Sequence, residues 1–399
     1  MNIEDIFCLI DEEDAISFLQ SMIRINSVNP PGNEHQMAVL IKERIEKAGL
    51  TAITDTIDDN RTNLIVRRKG DQRHSNNQKK NLVFSGHFDT VPAGSETWQR
   101  DPWSAEIDKN KLYGRGASDM KSGVSAMILA LEYIHRSGLQ LDGDLSFLGT
   151  VGEEVDGLGA RKATEAGWID DASAIVIGEP TNNKVTIAHK GVLWVEVTIR
   201  GNSAHAGWPD KGVNAILAMH KLISELEKME LSSHEILGNS TINLGMIHGG
   251  TAPNMVADYC KLTIDVRTVP GQDHDKVVLQ VKNILSSISD IMKVSYEVRV
   301  LNNMLCVGTS KNDDFIKLSS NVLYNYLNEV PELTGANYYT DASVFTIKKK
   351  NTPILIFGPG DPALAHQPNE WVDTRKYMEA IRYYIALAVN YLGVSSDGQ

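Results

Sequence analysis

Histidine and carboxylate side chains recur in this sequence just beyond short apolar segments. The first of these segments, residues 82–84, is followed by Ser85-Gly86 and then by His87 and Asp89. Three further apolar segments end in the same way: residues 145–151 are followed by Glu153 and Glu154, residues 174–177 by Glu179, and residues 354–357 by His366. In an open α/β sheet, ligands bind beyond the carboxyl ends of the strands. The recurrence therefore predicts a site at which imidazoles and carboxylates from separate strands meet.

Asp119, which ends the segment GRGASD at residues 114–119 directly before a helical pattern, joins the side chains of this pattern in a donor set without sulfur. Its members are two histidines and three carboxylates, namely His87, His366, Asp119, Glu154 and Glu179. Imidazole and carboxylate ligands without a thiolate favour Zn²⁺, Co²⁺ or Mn²⁺. Five ligands exceed the three that a single catalytic zinc usually takes, and they suit two ions about 3.5–4 Å apart that share one carboxylate. Such a pair activates a water and holds a scissile carbonyl, so Glu153 remains to accept the proton of that water as general base.

Each of these motifs also has a purely structural interpretation when it is taken alone. His87 is compatible with an ordinary turn, and Glu153-Glu154 is compatible with an exposed acidic pair. Asp119 directly precedes a helical pattern, where an N-cap carboxylate contributes about 1 kcal/mol. Asp89 is too close to His87 in the chain to add an independent metal contact easily, so we expect its carboxylate to accept the proton of the other ring nitrogen. Packing explains one such motif easily, but it does not explain four.

The periodicity of apolar residues predicts the elements that position this site. Helices are predicted at residues 14–25, 34–48, 121–137, 159–167, 312–327 and 374–392, and strands at residues 63–67 and in the four apolar segments. Strands and helices that alternate in this way indicate βαβ units and a mainly parallel α/β sheet. The polar residues 68–80, which lie between two of the strands, predict an exposed loop.

A second pattern interrupts the α/β arrangement after residue 182. It predicts strands at residues 192–199, 241–247, 259–266 and 293–300 and helices at residues 213–228 and 275–287. The resulting β-α-β-β-α-β order is that of a small ferredoxin-like α+β domain. We therefore predict a catalytic domain made of residues 1–189 and 302–399, which is interrupted by a domain of residues 190–301.

Composition restricts the classes of function that the chain can have. Its 399 residues include 39 Lys and Arg against 51 Asp and Glu, and the formal charge of −12 disfavours binding to nucleic acid. Three widely separated cysteines provide neither a disulfide framework nor a thiolate metal site. The acidic N-terminus is unlike a signal peptide, and no segment approaches the roughly 20 apolar residues of a membrane span. We therefore predict a soluble, cytoplasmic protein that does not bind membranes.

In combination, these motifs resemble those of the metallopeptidase M20 family, the group of acetylornithine deacetylase, succinyl-diaminopimelate desuccinylase, aminoacylase and glutamate carboxypeptidase. The matching segments are SGHFDTVP at residues 85–92, YGRGASDMK at 113–121, GEE at 152–154 and GEPT at 178–181, together with His366. The resemblance extends over nearly the whole chain and implies a catalytic domain with two Zn²⁺ ions, for which Co²⁺ or Mn²⁺ can substitute. It assigns His87 and Glu179 to one ion, Glu154 and His366 to the other, Asp119 to both, and the role of general base to Glu153.

The resemblance also implies that the inserted domain is a lid and dimerisation domain, so the expected assembly is a homodimer. His205, in the segment GNSAHAG at residues 201–207, is similar to a residue that reaches across the dimer to stabilise the tetrahedral oxyanion. Asn254 and Arg267 are similar to residues that bind the substrate carboxylate, a task that suits a guanidinium. Without the resemblance, His205 would be assigned to a turn and Arg267 to the exposed surface.

The resemblance further implies hydrolysis of a small N-acyl amino acid, such as N-acetylornithine or N-succinyl-diaminopimelate in amino-acid biosynthesis. The glutamate at position 179 resembles the residue found in the acylase, desuccinylase and carboxypeptidase branches, whereas aminopeptidases and dipeptidases tend to have Asp at this position. The sequence departs from the family at Ser343 in the segment TDAS, because the family motif often ends in Arg. The identity of the acyl group is therefore not predicted. Two alternatives remain: a carboxypeptidase or dipeptidase that cleaves a short peptide by the same mechanism, and a non-catalytic metal-dependent binding protein.

Overall fold

The computed structural model describes residues 2–71 and 80–394 of the chain, and its strands and helices are numbered in chain order. The described residues form two compact units. The larger unit takes its residues from Met1–Ile187, Gly308–Thr334 and Thr340–Gln399, and the smaller unit from Ala188–Val307 and Gly335–Tyr339. The predicted inserted domain, residues 190–301, falls within the smaller unit. Most of the loop predicted at residues 68–80 lies outside the described residues.

A nine-stranded mixed sheet contains the four apolar segments that precede the predicted donors. Its strands are β1 (Ala52–Asp58), β2 (Arg61–Arg68), β3 (Asn81–His87), β6 (Asp144–Thr150), β7 (Ala174–Ile177), β8 (Val185–His189), β15 (Val307–Gly308), β16 (Leu333–Ala336) and β17 (Ile354–Ile356). Their order is β1-β2-β6-β3-β7-β17-β8-β15, with β16 paired to β8. The neighbours β6, β3, β7 and β17 run parallel, and every residue of β3, β6 and β7 is buried. This burial explains why these strands are continuous apolar runs, and it confirms the predicted mainly parallel α/β sheet.

The helices predicted for the larger unit are all present, with ends that differ from the predictions by a few residues. The helices of this unit are α1 (Ile3–Phe7), α2 (Glu12–Arg24), α3 (His35–Lys47), α4 (Lys121–Arg136), α5 (Leu158–Glu165), α8 (Asp314–Leu327), α9 (Ala342–Lys348) and α10 (Thr374–Leu392). α4 packs against α2, α10 and β3 and is buried along most of its length. The short helices α1 and α9 were not predicted, because one or two turns carry too little periodicity to be detected. A small antiparallel sheet contains β4 (Ile107–Asp108), β5 (Lys111–Tyr113) and β18 (Trp371–Asp373).

The smaller unit has the predicted β-α-β-β-α-β order. Its main elements are β9 (Gly191–Arg200), α6 (Ala215–Leu226), β12 (Thr241–Gly249), β13 (Tyr259–Thr268), α7 (His274–Met292) and β14 (Ser295–Met304), and β10 (Ser233–His234) pairs with β11 (Gly238–Asn239) in a short hairpin. The long strands form an antiparallel sheet in the order β12-β13-β9-β14, and apolar side chains of α6, α7, β9 and β13 form a common core. Among the helices of the described residues, none is long and apolar enough to cross a membrane.

One close contact connects α4 to the end of β7, and it provides a test of the packing. Gly123 lies in the first turn of α4, and a Cβ at this position would overlap the carbonyl oxygen of Gly178. Replacing glycine by alanine normally stabilises a helix by about 1 kcal/mol. We expect Gly123→Ala instead to lower the free energy of unfolding by about 1–3 kcal/mol, because the oxygen belongs to the backbone and has to move. Urea denaturation followed by circular dichroism measures this change.

Ser122→Ala is the matched control for this substitution. Ser122 is the neighbouring buried residue of α4, and its hydroxyl has no hydrogen-bond partner among the described residues. Its removal is expected to leave the free energy of unfolding unchanged or slightly higher. Equal stability of the Gly123→Ala variant and the wild type would show that the two backbone segments are not in close contact.

Candidate metal centre

The predicted donors lie at the carboxyl ends of adjacent parallel strands. His87 is the last residue of β3, Glu153 and Glu154 follow β6, and Glu179 follows β7. These strands are neighbours in the sheet, and their common direction brings their carboxyl ends to one edge. His366 lies beyond β17, the next strand in the sheet, with a φ of 63° in the left-handed region. The topology of the sheet thus explains why residues far apart in the sequence converge.

Asp119 lies at the centre of this group of side chains. Its Oδ1 is 3.2 Å from His87 Nε2, and its Oδ2 is 3.4 Å from His366 Nε2. His87 Nε2 is also 3.6 Å from Glu179 Oε1, and His366 Nε2 is 3.1 Å from Glu154 Oε2. The side chains therefore form two groups, each with one histidine and one glutamate, and each group faces a different oxygen of Asp119.

The side chains of this cluster lie close enough together to hold divalent cations. The possible ligand atoms of His87, Asp119 and Glu154 lie within 4.8 Å of one another, and so do those of His87, Glu153 and Glu179. Glu154 Oε1 is buried and has no hydrogen-bond partner among the described residues. Buried carboxylates that lie close together need positive charge to remain ionised. Three features together are those of a dinuclear metal site. The donors are nitrogen and oxygen without sulfur, one carboxylate oxygen is buried without a partner among the described residues, and the two oxygens of Asp119 face different histidines.

The electrostatic environment differs sharply between these acids. Burial raises the pKa of Glu153 and of Glu179 well above the usual value, and repulsion from neighbouring carboxylates raises it further. Burial also opposes the ionisation of Asp119, but hydrogen bonds from His366 and His87 bring its pKa below the usual value. Hydrogen bonds to two carboxylates raise the pKa of His366 to about 10. The histidines and carboxylates of this cluster thus stabilise each other's charged forms.

Asp89 organises the turn that carries the two adjacent glutamates. Its carboxylate accepts hydrogen bonds from the amides of Glu153 and Glu154 at 3.1 and 3.2 Å and from Asn29 Nδ2 at 2.9 Å. His87 Nδ1 lies 2.9 Å from the Asp89 carbonyl oxygen and 3.6 Å from its carboxylate. The acceptor at hydrogen-bond distance is thus the backbone carbonyl rather than the carboxylate that the sequence suggests. The reason is that the carboxylate is occupied by backbone amides.

A buried ion pair that sequence analysis missed holds the loop in front of α4. Glu370 is fully buried and accepts hydrogen bonds from the amides of Gly116, Ser118 and Asp119 at 3.1, 2.7 and 2.9 Å. Arg115 Nη1 donates to the same carboxylate at 2.6 Å. The N-cap of α4 is the following residue and has no side-chain capping bond, so the N-cap interpretation of Asp119 is wrong. The backbone of Asp119 is instead held by Glu370, which leaves its carboxylate to face the histidines.

A second missed acid lies close to the predicted general base. Asp341 is buried directly after Thr340, and the Thr150 hydroxyl at the end of β6 donates a hydrogen bond to its carboxylate. Burial raises the pKa of Asp341 to about 6. Its charge in turn contributes to the raised pKa of Glu153. Ser343, at the position where the family motif often has Arg, is buried as well. The only sequence signal for Asp341 was its place in the TDAS segment.

The three predicted residues of the smaller unit lie in two places. His205 is exposed, accepts a hydrogen bond from the Gly207 amide at Nδ1, and forms a β-bridge with the residue after Asn254. The structure therefore brings His205 and Asn254 together on adjacent loop segments. Arg267 lies on β13, where its guanidinium donates to Asp265 Oδ2 at 3.0 Å. The substrate and oxyanion roles of these three residues stay predictions.

Known proteins share both the sequence pattern and the fold. The family described as Peptidase family M20/M25/M40 matches residues 83–390. A protein of Staphylococcus aureus (strain N315) described as a "Probable succinyl-diaminopimelate desuccinylase" is 28% identical over 414 residues, covering 96% of this chain and 98% of the relative.

Solved structures show the same architecture at lower sequence identity. Aminopeptidase PepT from Bacillus cereus has a TM-score of 0.77 at 20% identity, covering 95% of this chain and 98% of that chain. A Bacillus subtilis protein described as a dinuclear metal binding peptidase from the M20 family has a TM-score of 0.73 at 17% identity, covering 96% and 98%. With the family match over residues 83–390, these findings confirm the predicted resemblance, and the chain belongs to peptidase family M20/M25/M40.

Proposed function

We propose that this metal-dependent hydrolase splits the amide bond of an N-acyl amino acid and releases a carboxylic acid and a free amino acid. The observation that carries the proposal is the position of Asp119, whose two carboxylate oxygens lie 3.2 and 3.4 Å from the two histidines. A site of this kind suits hydrolysis of a carbonyl substrate. The relative from Staphylococcus aureus, described as a desuccinylase, favours removal of an acyl group over cleavage of a peptide.

We propose that the site holds two Zn²⁺ ions, with Co²⁺ or Mn²⁺ as alternatives. His87 and Glu179 would hold one ion, His366 and Glu154 the other, and Asp119 both. When bound, such ions polarise the amide carbonyl and lower the pKa of water in the site. The distances from Asp119 to both histidines, from His87 to Glu179 and from His366 to Glu154 support this assignment.

Glu153 is the general base in this proposal. Its carboxylate would accept a proton from the attacking water and then give it to the leaving nitrogen of the amide. Two features support this role. One of its carboxylate oxygens lies within 4.8 Å of donor atoms of His87 and Glu179, and burial together with the neighbouring Glu179 raises its pKa well above the usual value. The hydrogen bond from the Glu153 amide to Asp89 fixes the backbone from which this side chain extends.

The remaining predicted roles belong to the smaller unit. We propose that Asn254 and Arg267 bind the substrate carboxylate and that His205 stabilises the tetrahedral oxyanion across a homodimer formed through this unit. The edge strand β12 supports the dimer, because it is exposed along its length and presents Met246 and Ile247 with 57% and 52% of their surface accessible. Apolar side chains on a free strand edge are suited to pairing with a second chain. The cytoplasmic location stays a prediction from the sequence.

The surroundings of Glu153 favour an acyl group without negative charge. Asp341 contributes to the raised pKa of both Glu153 and Glu179, so an acid stands near the site, and Ser343 supplies no positive charge. A succinyl carboxylate would therefore be repelled by Asp341 unless another cation binds it. An N-acetyl group or a peptide is free of this cost. This observation keeps a dipeptidase or carboxypeptidase as the second candidate function.

Replacing the proposed general base tests the mechanism. Glu153→Gln keeps the size of the side chain and removes its ability to accept a proton, so we expect the hydrolysis rate to fall by at least about 100-fold. Metal content, measured by mass spectrometry of the purified protein, is expected to stay at the wild-type value. Glu165→Gln on the exposed end of α5 is the control and should behave as wild type. Near-normal activity of Glu153→Gln would exclude the role, and loss of metal would identify Glu153 as a ligand.

A second substitution tests the ion pair that holds the Asp119 loop. Glu370→Gln leaves the Arg115 guanidinium buried without a counter-charge, and we expect the free energy of unfolding to fall by about 3–5 kcal/mol. Adding Arg115→Met removes the unpaired charge, so the double variant should recover part of this loss. Urea denaturation of wild type, both single variants and the double variant measures the coupling. Additive effects of the two substitutions would show that the pair does not act as a unit.

A substrate panel separates the candidate functions. With Zn²⁺ or Co²⁺ supplied, we expect kcat/KM to be highest for an N-acetyl amino acid, which carries no charge that Asp341 would repel, and lower both for the matching N-succinyl compound and for a dipeptide with the same C-terminal residue. Release of the free amino acid is measured with the same detection chemistry for all three compounds. A preference for the dipeptide would establish the peptidase alternative, and the absence of any turnover by fully metal-loaded protein would favour the non-catalytic binding protein.

A further inference from the structure

One arginine of β2 lies directly against the turn that follows β6. This turn, residues 152–157, carries the proposed general base and one proposed metal ligand, and we call it the glutamate turn. The pairing of β2 with β6 places Leu64 opposite Gly149, and the two strands run antiparallel. Continued beyond the end of β6, the same register brings Arg61, the first residue of β2, opposite Gly152.

The Arg61 guanidinium packs on the backbone of the glutamate turn. A Cβ on Gly152 would lie 2.5 Å from Arg61 Nη2, so only glycine leaves room for the guanidinium at this position. Gly152 also has a φ of 78°, in the left-handed region. Its carbonyl oxygen accepts hydrogen bonds from the amides of Asp156 and Gly157 at 3.1 and 2.7 Å, which close the turn. Arg61 thus covers the residue whose conformation and carbonyl oxygen define the turn.

Glu34 anchors this guanidinium. Its Oε1 accepts a hydrogen bond from Arg61 Nη2 at 3.0 Å, and its Oε2 accepts one from Arg61 Nε at 3.3 Å. The Glu34 side chain is fully buried, and only 12% of the Arg61 side chain is exposed. Bidentate pairing of a planar guanidinium with a carboxylate fixes its orientation as well as its distance. Arg61 therefore cannot rotate away from Gly152 without breaking this ion pair.

Acidic residues beside the turn and within it favour the charge of Arg61. Burial by itself would lower the pKa of Arg61, but the hydrogen bonds and charge of Glu34, together with the charges of Asp89 and Asp156, raise it. The Asp89 carboxylate accepts hydrogen bonds from two amides of the glutamate turn, and Asp156 belongs to the turn. The charged guanidinium therefore attracts the acids that surround the turn as well as its own anchor.

A second residue of β2 holds the two ends of the same segment. Asn63 lies two residues after Arg61, so both side chains point to the same face of the strand. Asn63 Oδ1 accepts a hydrogen bond from the Val151 amide at 3.1 Å, and its Nδ2 donates one to the Gly159 carbonyl oxygen at 2.9 Å. Asn63 thus fixes the ends of the segment, and Arg61 covers the turn between them.

We propose that Arg61 is a positioning residue for hydrolysis, because its guanidinium holds the glutamate turn and so fixes the backbone from which Glu153 and Glu154 extend. The inference rests on the proposed function, in which these two glutamates are the general base and a metal ligand. Arg61 acts through the backbone and does not touch the reacting atoms. A displacement of about 1 Å in a catalytic group is enough to slow a reaction about 100-fold.

Hydrogen–deuterium exchange of the metal-loaded, full-length protein tests the positioning directly. Arg61→Lys keeps the charge, but a compact ammonium cannot bind both oxygens of Glu34 and also cover Gly152. We expect the amides of residues 152–157 to exchange at least about tenfold faster than in wild type, the change expected when one hydrogen bond between charged groups is lost. Mass spectrometry of peptides that span the turn measures the rates. If Arg61→Lys does not fold, Glu34→Asp, which shortens the anchor, is measured in its place and should have the same effect.

Steady-state kinetics at saturating Zn²⁺ measures the consequence for catalysis. We expect kcat for an N-acetyl amino acid to fall by about tenfold or more in Arg61→Lys. KM should change little, because the groups proposed to bind the substrate carboxylate belong to the smaller unit. A purely structural role of Arg61 would lower the melting temperature without changing the kcat of the folded protein.

Arg44→Lys is the matched control. Arg44 lies on α3, and its Nη2 and Nε donate to Asp14 and Glu132 at 2.5 and 2.6 Å. The substitution therefore weakens the same kind of ion pair at a place that does not contact the glutamate turn. This variant should have a lower melting temperature than wild type, together with wild-type exchange across residues 152–157 and wild-type kcat.

Three results would overturn the proposal. The first is equal exchange across residues 152–157 in wild type and Arg61→Lys. The second is equal acceleration of this exchange by Arg44→Lys, which would show a general loss of stability. The third is faster exchange in Arg61→Lys with an unchanged kcat. If wild type hydrolyses no compound of the substrate panel, the proposed function fails, whereas the exchange rates still decide whether Arg61 holds the turn.

Discussion

The repulsion between carboxylates that are buried at one edge of a sheet is the constraint on which the rest of this structure depends. Glu153, Glu154 and Glu179 converge there because β6 and β7 lie beside β3 and run parallel to it, so that their carboxyl ends meet. The loop in front of α4, which Glu370 holds, adds Asp119. Burial raises the pKa of three of these acids, and each ionised neighbour raises it further. A fold can keep such a cluster only when cations bind it or when histidines near it take up protons. The same property makes the cluster unstable on its own and well suited to divalent metal ions.

Backbone hydrogen bonds, rather than contacts between the donors themselves, hold these acids in place. The Asp89 carboxylate accepts hydrogen bonds from the amides of Glu153 and Glu154. The Glu370 carboxylate accepts hydrogen bonds from the amides of three residues in the loop that ends at Asp119. Each anchor is itself a buried carboxylate. Asp89 accepts a hydrogen bond from Asn29 and has His87 3.6 Å away, and Glu370 is paired with Arg115. Positioning through the backbone leaves the side-chain oxygens of the donors available for ligands. The centre is thus surrounded by a second layer of acids that bind amides instead of metal.

The sequence predicts the sheet and the donor set well for a common reason. β3, β6 and β7 are buried on both faces, so they are continuous apolar runs, and the residues that follow them are conspicuous by their charge. Glu370 has no such signal, because its partners lie about 250 residues away and are mostly backbone amides, which every residue possesses. The sequence also does not show that His87 Nδ1 lies nearer to the Asp89 carbonyl than to its carboxylate, because this depends on how the adjacent turn folds back. Arg68 is missed for a related reason: an arginine at the end of a strand normally suggests the surface, and only the register of β1 shows that it is buried.

A buried polar atom without a partner lowers the stability of a fold unless a ligand offsets that cost. At the metal centre, Glu154 Oε1 has no hydrogen-bond partner among the described residues, and it lies among acids that repel each other. Acids that the fold brings together in this way gain stability from divalent cations that bind to them. Arg68 on β2 shows the same cost with the opposite charge, because its Nε and Nη1 are buried and have no partner among the described residues. The match to a family of metal-dependent peptidases accounts for the orphan oxygen of Glu154, whereas the orphan nitrogens of Arg68 lie on a strand that carries no donor of the metal centre.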